Sequence, residues 1–275
     1  MKSLNGSELA GFIKERQAKA VRGLRQAHQI NPKLAIVQCS DDPVINTYVK
    51  LKKRYGSDIQ VDVDIHFVEQ SKAPELIKNL NQDATVHGII VQLPLPDKTQ
   101  TDEIVSLVAP NKDVDALGKD AKFDPATPLA IVWLLSGYNV ELRNQHILLV
   151  GRGKLVGAPL ERMLKASGLD VEVVGREAED LSQHTKKADI IITATGNPGI
   201  LGPDDIKFGA VVVDAGVASE SGKTVGDLAE EVYERNDLTV TPRKGGVGPL
   251  TVCALFENTI LAARRVAEAN SQADV

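Results

Sequence analysis

The sequence predicts an α/β protein of two domains, each with a mainly parallel sheet flanked by helices. Short apolar runs recur between helix-period segments, among them LAIVQ (34–38), GIIVQ (88–92), HILLV (146–150), DIIIT (189–193) and AVVVD (210–214). Runs of this kind, alternating with helices, belong to parallel strands covered on both faces and wound right-handed. The chain has 275 residues, more than one core usually holds, and turns polar and loop-like between Asn111 and Asp124. These observations place a first domain over 1–120 and a second over 121–251.

The elements follow in order. With Ser7 as N-cap, Leu9, Phe12, Ile13, Val21 and Leu24 mark a first helix that Asn31-Pro32 ends. LAIVQ is a strand; Asp42-Pro43 then starts a helix that Gly56 closes, proline early and glycine just past the end. VDVDIHF (61–67) is the next strand, followed by a helix near 74–81, the strand GIIVQ closed by Leu93-Pro94-Leu95-Pro96, and a helix near 101–108. Thr127-Pro128 caps LAIVWLLSGY, a helix apolar enough to be buried between two layers. HILLV, a glycine-rich turn, a helix over 155–167, VEVV (171–174), a further helix, DIIIT, AVVVD, LTV (238–240) and a final helix from Pro249 complete the chain.

Composition narrows the function classes. A hydrophobic content of 43% and a charged content of 25% give a core to bury, so the chain folds without a partner. The net charge of −5 offers no global positive field for nucleic acid or anionic membrane, so neither is expected as a partner. Cys39 and Cys253 lie far apart with no Cys/His cluster, which argues against a disulfide framework or a metal site and fits a reducing cytosol. MKSLNGSELAGFIKERQ carries charges through what would be the apolar core of a signal peptide, and no run of roughly 18 apolar residues occurs. The expected location is cytoplasmic.

The most informative local feature is VGRGKLVGAP (150–159), a strand running into a Gly-x-Gly-x-x-x-Gly turn and then a helix. Such a turn brings backbone N–H groups and a helix N-terminus against a diphosphate, and glycine is needed where a side chain would block the approach. The second domain is therefore expected to be a Rossmann-like dinucleotide-binding domain, with Gly151, Arg152, Gly153, Val156 and Gly157 at the cofactor. VEVV ends at Gly175-Arg176, where NAD-binding versions of the fold place an acid on the ribose 2′-hydroxyl. An Arg there fits a 2′-phosphate, so NADP is the expected cofactor, with Arg152 as a second contact. A ligand-free tight turn and an exposed surface Arg are the structural alternatives.

In the first half, Tyr48 and Lys52 sit four apart on one helix face, with Lys50, Lys53 and Arg54 around them. They could present a phenol and an ammonium to one ligand, or form an ordinary solvated face. Gln92 ends GIIVQ, where open parallel sheets bind ligands. In Lys112-Asp113-Val114-Asp115, an extended segment would point both carboxylates the same way; one buried carboxylate on a heterocycle and a plain turn acid are both open. TPRKGGVGPLT (241–251) places three glycines before a helix, which suggests close backbone approach to a flat ligand or else a hinge loop.

Together YVKLK (48–52), GIIVQLPLP (88–96), KDVDA (112–116), FDPATP (123–128), VGRGKLVGAP, ADIIITATG (188–196), GAVVVDAG (209–216), GD (226–227) and TPRKGGVGPLT resemble, in order and spacing, the bifunctional methylenetetrahydrofolate dehydrogenase/cyclohydrolase family. The resemblance spans essentially the whole chain, and GIIVQLPLP and GGVGPLT are its specific parts. It implies a homodimer whose subunits join a folate-handling catalytic domain to an NADP domain across a cleft, with the last helix (252–275) packing back on the first domain. It implies oxidation of 5,10-methylenetetrahydrofolate by NADP and hydrolysis of the methenyl cation to 10-formyltetrahydrofolate. The family's catalytic lysine falls on Lys52, its tyrosine on Tyr48, its glutamine on Gln92 and its pterin-binding aspartate on Asp115. Substrate contacts fall on Tyr48, Leu93, Pro94 and Asp115, and on Gly245, Gly246 and Pro249. Further cofactor contacts fall on Thr195, Gly196 and Gly216.

Several positions depart from the family's pattern. Arg243-Lys244 replace Val-Pro, adding two charges beside the expected folate site and removing a rigid φ angle. Ile45 replaces a serine three residues before the tyrosine; Gly153, Ala126 and Ala116 replace a serine, a cysteine and a glycine. Two other readings follow from them: a dehydrogenase with weak or absent cyclohydrolase activity, and a silent dinucleotide- or folate-binding protein. Lys52 could serve hydrolysis as an orienting cation or, with a pKa lowered by burial, as a neutral base.

Overall fold

In a computed structural model, which describes residues 2–175, 180–220 and 223–273, the chain divides into two compact units. One comprises Gly11–Ala126 with Val252–Val275, the other Met1–Ala10 with Thr127–Thr251. In chain order the first half holds β1 (Lys2–Ser3), α1 (Gly6–His28), β2 (Lys33–Gln38), α2 (Pro43–Ile59), β3 (Asp62–Phe67), α3 (Ala73–Gln82), β4 (Gly88–Gln92) and α4 (Thr101–Val105). Then follow α5 (Ala126–Gly137), β5 (Ile147–Val150), α6 (Gly157–Ala166), β6 (Val171–Val174), α7 (Leu181–Thr185), β7 (Ile190–Thr193), β8 (Val211–Asp214), β9 (Ala218–Glu220), β10 (Lys223–Val225), β11 (Thr239–Val240) and α8 (Val247–Ala273). Among the described residues, no helix is long and apolar enough to cross a membrane.

The unit of Gly11–Ala126 is a three-stranded parallel sheet in the order β3-β2-β4. Its central strand is apolar from Leu34 to Val37 because both faces are covered: Leu34, Ile36 and Val37 are fully buried. Each contributes roughly 1.5–3 kcal/mol by leaving water. The chain leaves β2 for β3 on one side and returns to β4 on the other, so the order reverses between β2 and β4. Gln38 and Gln92 end these neighbouring strands as register partners. That reversal is where open parallel sheets hold ligands, beyond the carboxyl ends.

The second unit repeats the plan with six strands in the order β1-β11-β8-β7-β5-β6, all neighbours parallel. Its reversal lies between β5 and β7, with the glycine-rich turn leaving β5 at that point. Leu148, Ile191, Val212 and Val240 belong to its buried apolar cluster. In α5, Ala130, Ile131, Leu134 and Leu135 are buried, as expected of a helix with so little polar surface.

Three expectations change. The first ten residues, placed within a domain of 1–120, group with the six-stranded unit, because β1 adds to β11 through Lys2–Thr239 and Ser3–Val240 pairing. Asn5, not Ser7, caps α1: its Oδ1 accepts from the Glu8 N–H at 3.2 Å, and Ser7 is already helical. Gly56 does not close α2. The helix runs on to Ile59, and Gln60 takes the left-handed cap at φ 65°. Gly56 is buried, and a Cβ there would lie 2.4 Å from the Val63 side chain, so its smallness serves packing.

Candidate functional site

α2 brings the first set of groups to the carboxyl ends of β2 and β4. Asp42 caps the helix by accepting from Val44 and Ile45 N–H at 2.8 and 3.1 Å, and Pro43 supplies the preset φ of the first turn. Ile45, Val49 and Ile59 face the core, which fixes the rotation of the helix. Tyr48 then stands 37% exposed, while Lys52 is drawn inward and donates from Nζ to Gln92 Oε1 at 2.6 Å. Gln92 is itself oriented, donating from Nε2 to the Leu93 carbonyl at 2.9 Å. Lys50, Lys53 and Arg54 are exposed, so the solvated-face reading describes them and not Lys52.

Electrostatics sets Lys52 apart. Burial holds its ammonium pKa below the ordinary lysine value, with Asp115 opposing the shift. Burial likewise pushes Asp115 up, with Lys52 opposing. Among the described residues Asp115 has no hydrogen-bond donor, so its carboxylate is available to a ligand's N–H groups. The two acids of KDVDA do not point the same way in an extended segment. Only Asp113 bridges to the sheet, opposite Ile89, before the chain turns with Ala116 at φ 56°. Asp113 is 3% exposed and accepts from the Gly118 N–H at 2.7 Å and the Leu117 N–H at 3.4 Å. It is the turn acid, leaving Asp115 as the free carboxylate.

Beyond β5, the turn is shaped by backbone. Gly151 has φ 102° and donates to the Val174 carbonyl at 2.8 Å. A Cβ on Gly157 would lie 2.0 Å from the Gly151 carbonyl oxygen, so the start of α6 can approach the end of β5 only as glycine. Val156 precedes α6 with no side-chain cap on the helix; in the first turn the Ala158 N–H donates to the Gly153 carbonyl at 3.0 Å and Pro159 has no N–H, which leaves the Gly157 N–H to an anion. The cradle therefore fits a dinucleotide diphosphate. A Cβ at Gly153 meets nothing within 4 Å, so glycine is not required there by sterics. Arg152 pairs with Glu161 of α6 at 3.1 Å instead of standing free. Arg176 lies outside the described residues.

Thr195, Gly196 and Gly216 sit in the loops that leave β7 and β8. Those loops are tied to Asp214 and Asp227, two acids to which sequence reasoning gave no role although GD (226–227) stood in the motif set.

The loop at 241–249 corrects two expectations. The close backbone approach at its glycines is made by the chain's own N-terminus: the Ser7 N–H donates to the Gly245 carbonyl at 2.9 Å, and a Cβ on Gly6 would lie 1.9 Å from the Gly246 carbonyl oxygen. Arg243 is not a free charge: it pairs with Glu230 at 2.5 Å and lies 4.3 Å over the Tyr233 ring. The loop is thus pinned without the missing proline. Pro249 falls in the first turn of α8. Ile45 is 4% exposed, so an apolar contact stands where the family's hydroxyl would be.

One unit carries a parallel sheet that opens on a glycine turn, and the other carries a half-buried, pKa-lowered lysine; the fold defines a dinucleotide-dependent α/β enzyme. Comparison with known proteins specifies it. Residues 4–115 match the family described as tetrahydrofolate dehydrogenase/cyclohydrolase, catalytic domain, and residues 125–267 match its NAD(P)-binding domain. A relative from Nitratiruptor, named bifunctional protein FolD, is 36% identical over 96% of this chain and 99% of its own. The crystal structure of the bifunctional FolD dehydrogenase/cyclohydrolase from Campylobacter jejuni aligns with a TM-score of 0.90 and 36% identity over 96% of this chain and 99% of that one. The Trypanosoma brucei dehydrogenase-cyclohydrolase, solved with NADP cofactor and inhibitor, aligns with a TM-score of 0.89 and 28% identity over 96% and 97%. The chain belongs to the tetrahydrofolate dehydrogenase/cyclohydrolase family and is a bifunctional enzyme of that class with an NAD(P)-binding domain.

Proposed function

We propose that the protein oxidises 5,10-methylenetetrahydrofolate with NADP and hydrolyses the resulting 5,10-methenyl cation to 10-formyltetrahydrofolate. The observation that carries the hydrolytic half is Lys52, half-buried, lowered in pKa and hydrogen-bonded to Gln92. As the neutral amine, Lys52 accepts a proton from the water that attacks the methenyl carbon, and adds no repulsion to that cation. Gln92 holds Nζ in place. Asp115 accepts hydrogen bonds from the pterin's amino and ring N–H groups, and Tyr48 offers its ring to the aminobenzoyl portion. Leu93 and Pro94, which follow β4, add further substrate contacts on the same unit.

Gly151, Arg152, Gly153, Val156, Gly157, Arg176, Thr195, Gly196 and Gly216 hold the dinucleotide in this reading. Bound nicotinamide supplies the hydride acceptor; the chain's share of that step is positioning. NADP as the particular cofactor rests on Arg176 and on the trypanosomal relative solved with it. A homodimer is supported by β3, whose described residues pair only with β2 and leave Ile65 and Phe67 36% and 61% exposed on an edge strand. A cytoplasmic location is supported by two buried cysteines that form no disulfide among the described residues.

The test follows NADP reduction with 5,10-methylenetetrahydrofolate while the methenyl absorbance is read in the same cuvette. Reduction without methenyl accumulation is the expected result. Persistent methenyl would leave only the dehydrogenase, and no reduction with NADP or NAD would overturn the enzyme reading.

A further inference from the structure

Asp214 ends β8, and Asp227 follows β10; neither takes part in the chemistry described above. Asp227 is fully buried and accepts from the Thr195 N–H at 2.8 Å and the Asn197 N–H at 3.0 Å. Asp214 accepts from the N–H groups of Gly216 at 2.9 Å, Asp227 at 2.9 Å and Leu228 at 3.1 Å, and from the Thr193 hydroxyl at 3.3 Å. One carboxylate thus fixes the loop after β7, the other fixes the loop after β8, and the Asp227 N–H links the two. A Cβ on Gly216 would lie 2.1 Å from the Asp227 carboxyl, so that loop is closed tightly over the acid.

The placement matters more than the number of bonds. Both of these loops leave the sheet at the carboxyl ends of its strands, the ligand-holding edge, and they include Thr195, Gly196 and Gly216. The sheet has its own apolar core around Leu148, Ile191, Val212 and Val240. Buried carboxylates that take backbone N–H donors make strong, directional bonds, and losing one partner leaves the other unsatisfied.

We propose that Asp214 and Asp227 are positioning residues for the dinucleotide, locking the loops after β7 and β8 into the shape that receives it. This rests on the NADP reading. Asp227→Asn tests it, because an amide offers one acceptor oxygen where two backbone N–H groups donate. Equilibrium titration with NADPH, read by its fluorescence, should show Kd raised by about tenfold. Cyclohydrolase turnover of 5,10-methenyltetrahydrofolate added directly, with no dinucleotide present, should stay within about twofold of wild type.

Wild-type NADPH affinity in a folded Asp227→Asn protein would overturn the proposal. So would a cyclohydrolase loss as large as the binding loss, which would mark a general structural role. Should that variant not fold, Gly216→Ala presses a methyl group on the same carboxylate and should weaken NADPH binding in the same direction; unchanged binding would again count against it. If the wild type fails to bind NADPH, the cofactor reading itself falls, and this inference with it.

Discussion

Beyond β2 and β4 the ligand edge of the sheet is occupied by side chains: Lys52 arrives from α2, Gln92 from the strand end, and Asp115 perturbs the lysine from the following turn. Beyond β5 and β7 the same topological position is bounded by backbone, with Gly151 and Gly157 in mutual contact and an uncapped helix N-terminus. The first arrangement suits the proton handling proposed for it, for which a titratable group with a shifted pKa is required. The second suits the diphosphate proposed for it, for which fixed N–H donors and absent side chains suffice. Two reversals of strand order, one in each sheet, thus suit two different chemistries, and substitutions should separate them.

The largest expected effect is at Lys52. Lys52→Met keeps the aliphatic stem and removes the amine, and should lower cyclohydrolase turnover by about 10²- to 10⁴-fold. NADPH affinity should stay at the wild-type value, measured by titration on the same preparation. Hydrolysis at the wild-type rate would remove Lys52 from the mechanism and break the contrast at its source.

Gly157→Ala is the converse experiment. The added Cβ would sit 2.0 Å from the Gly151 carbonyl oxygen, so the turn must move. A displacement of this kind at a binding backbone should weaken NADPH by about a hundredfold. Cyclohydrolase activity on added methenyl substrate should survive. If both activities fall together, the two edges are not energetically separate.

Gln92→Glu sharpens the assignment of Lys52 as a base. A base works unprotonated, so the hydrolysis rate climbs with pH through the Lys52 pKa and levels off above it. Burial already lowers that pKa, which sets the rise below the ordinary lysine range. A carboxylate at 92 favours the ammonium and should move the rise upward by about one pH unit. An unmoved or inverted profile would point to a cationic, orienting Lys52.

What was legible in the sequence divides along the same line. Asp42-Pro43, the apolar strands and the glycine turn are local signals, and each element they predict is present. Partners distant in sequence were not legible. Gly56 looked like a helix stop because its crowding by Val63 comes from the next strand. Arg243 looked like a loose charge because Glu230 and Tyr233 lie in a different segment. β1 is two residues long, below any period, and was missed. For Asp113 and Asp115, spacing alone could not say which carboxylate the turn would consume.

The smallest expected effect lies inside the glycine turn. Gly151 and Gly157 are each held to glycine by close backbone atoms, whereas a Cβ at Gly153 faces open space. Gly153→Ser should therefore shift the melting midpoint by less than about 2 °C. NADPH affinity should change by no more than about threefold, since a hydroxyl beside a diphosphate can donate a hydrogen bond as readily as it can crowd. A loss as large as that of Gly157→Ala would mean that the cofactor approaches all three positions closely, and the turn would be shaped as much by its ligand as by its own backbone.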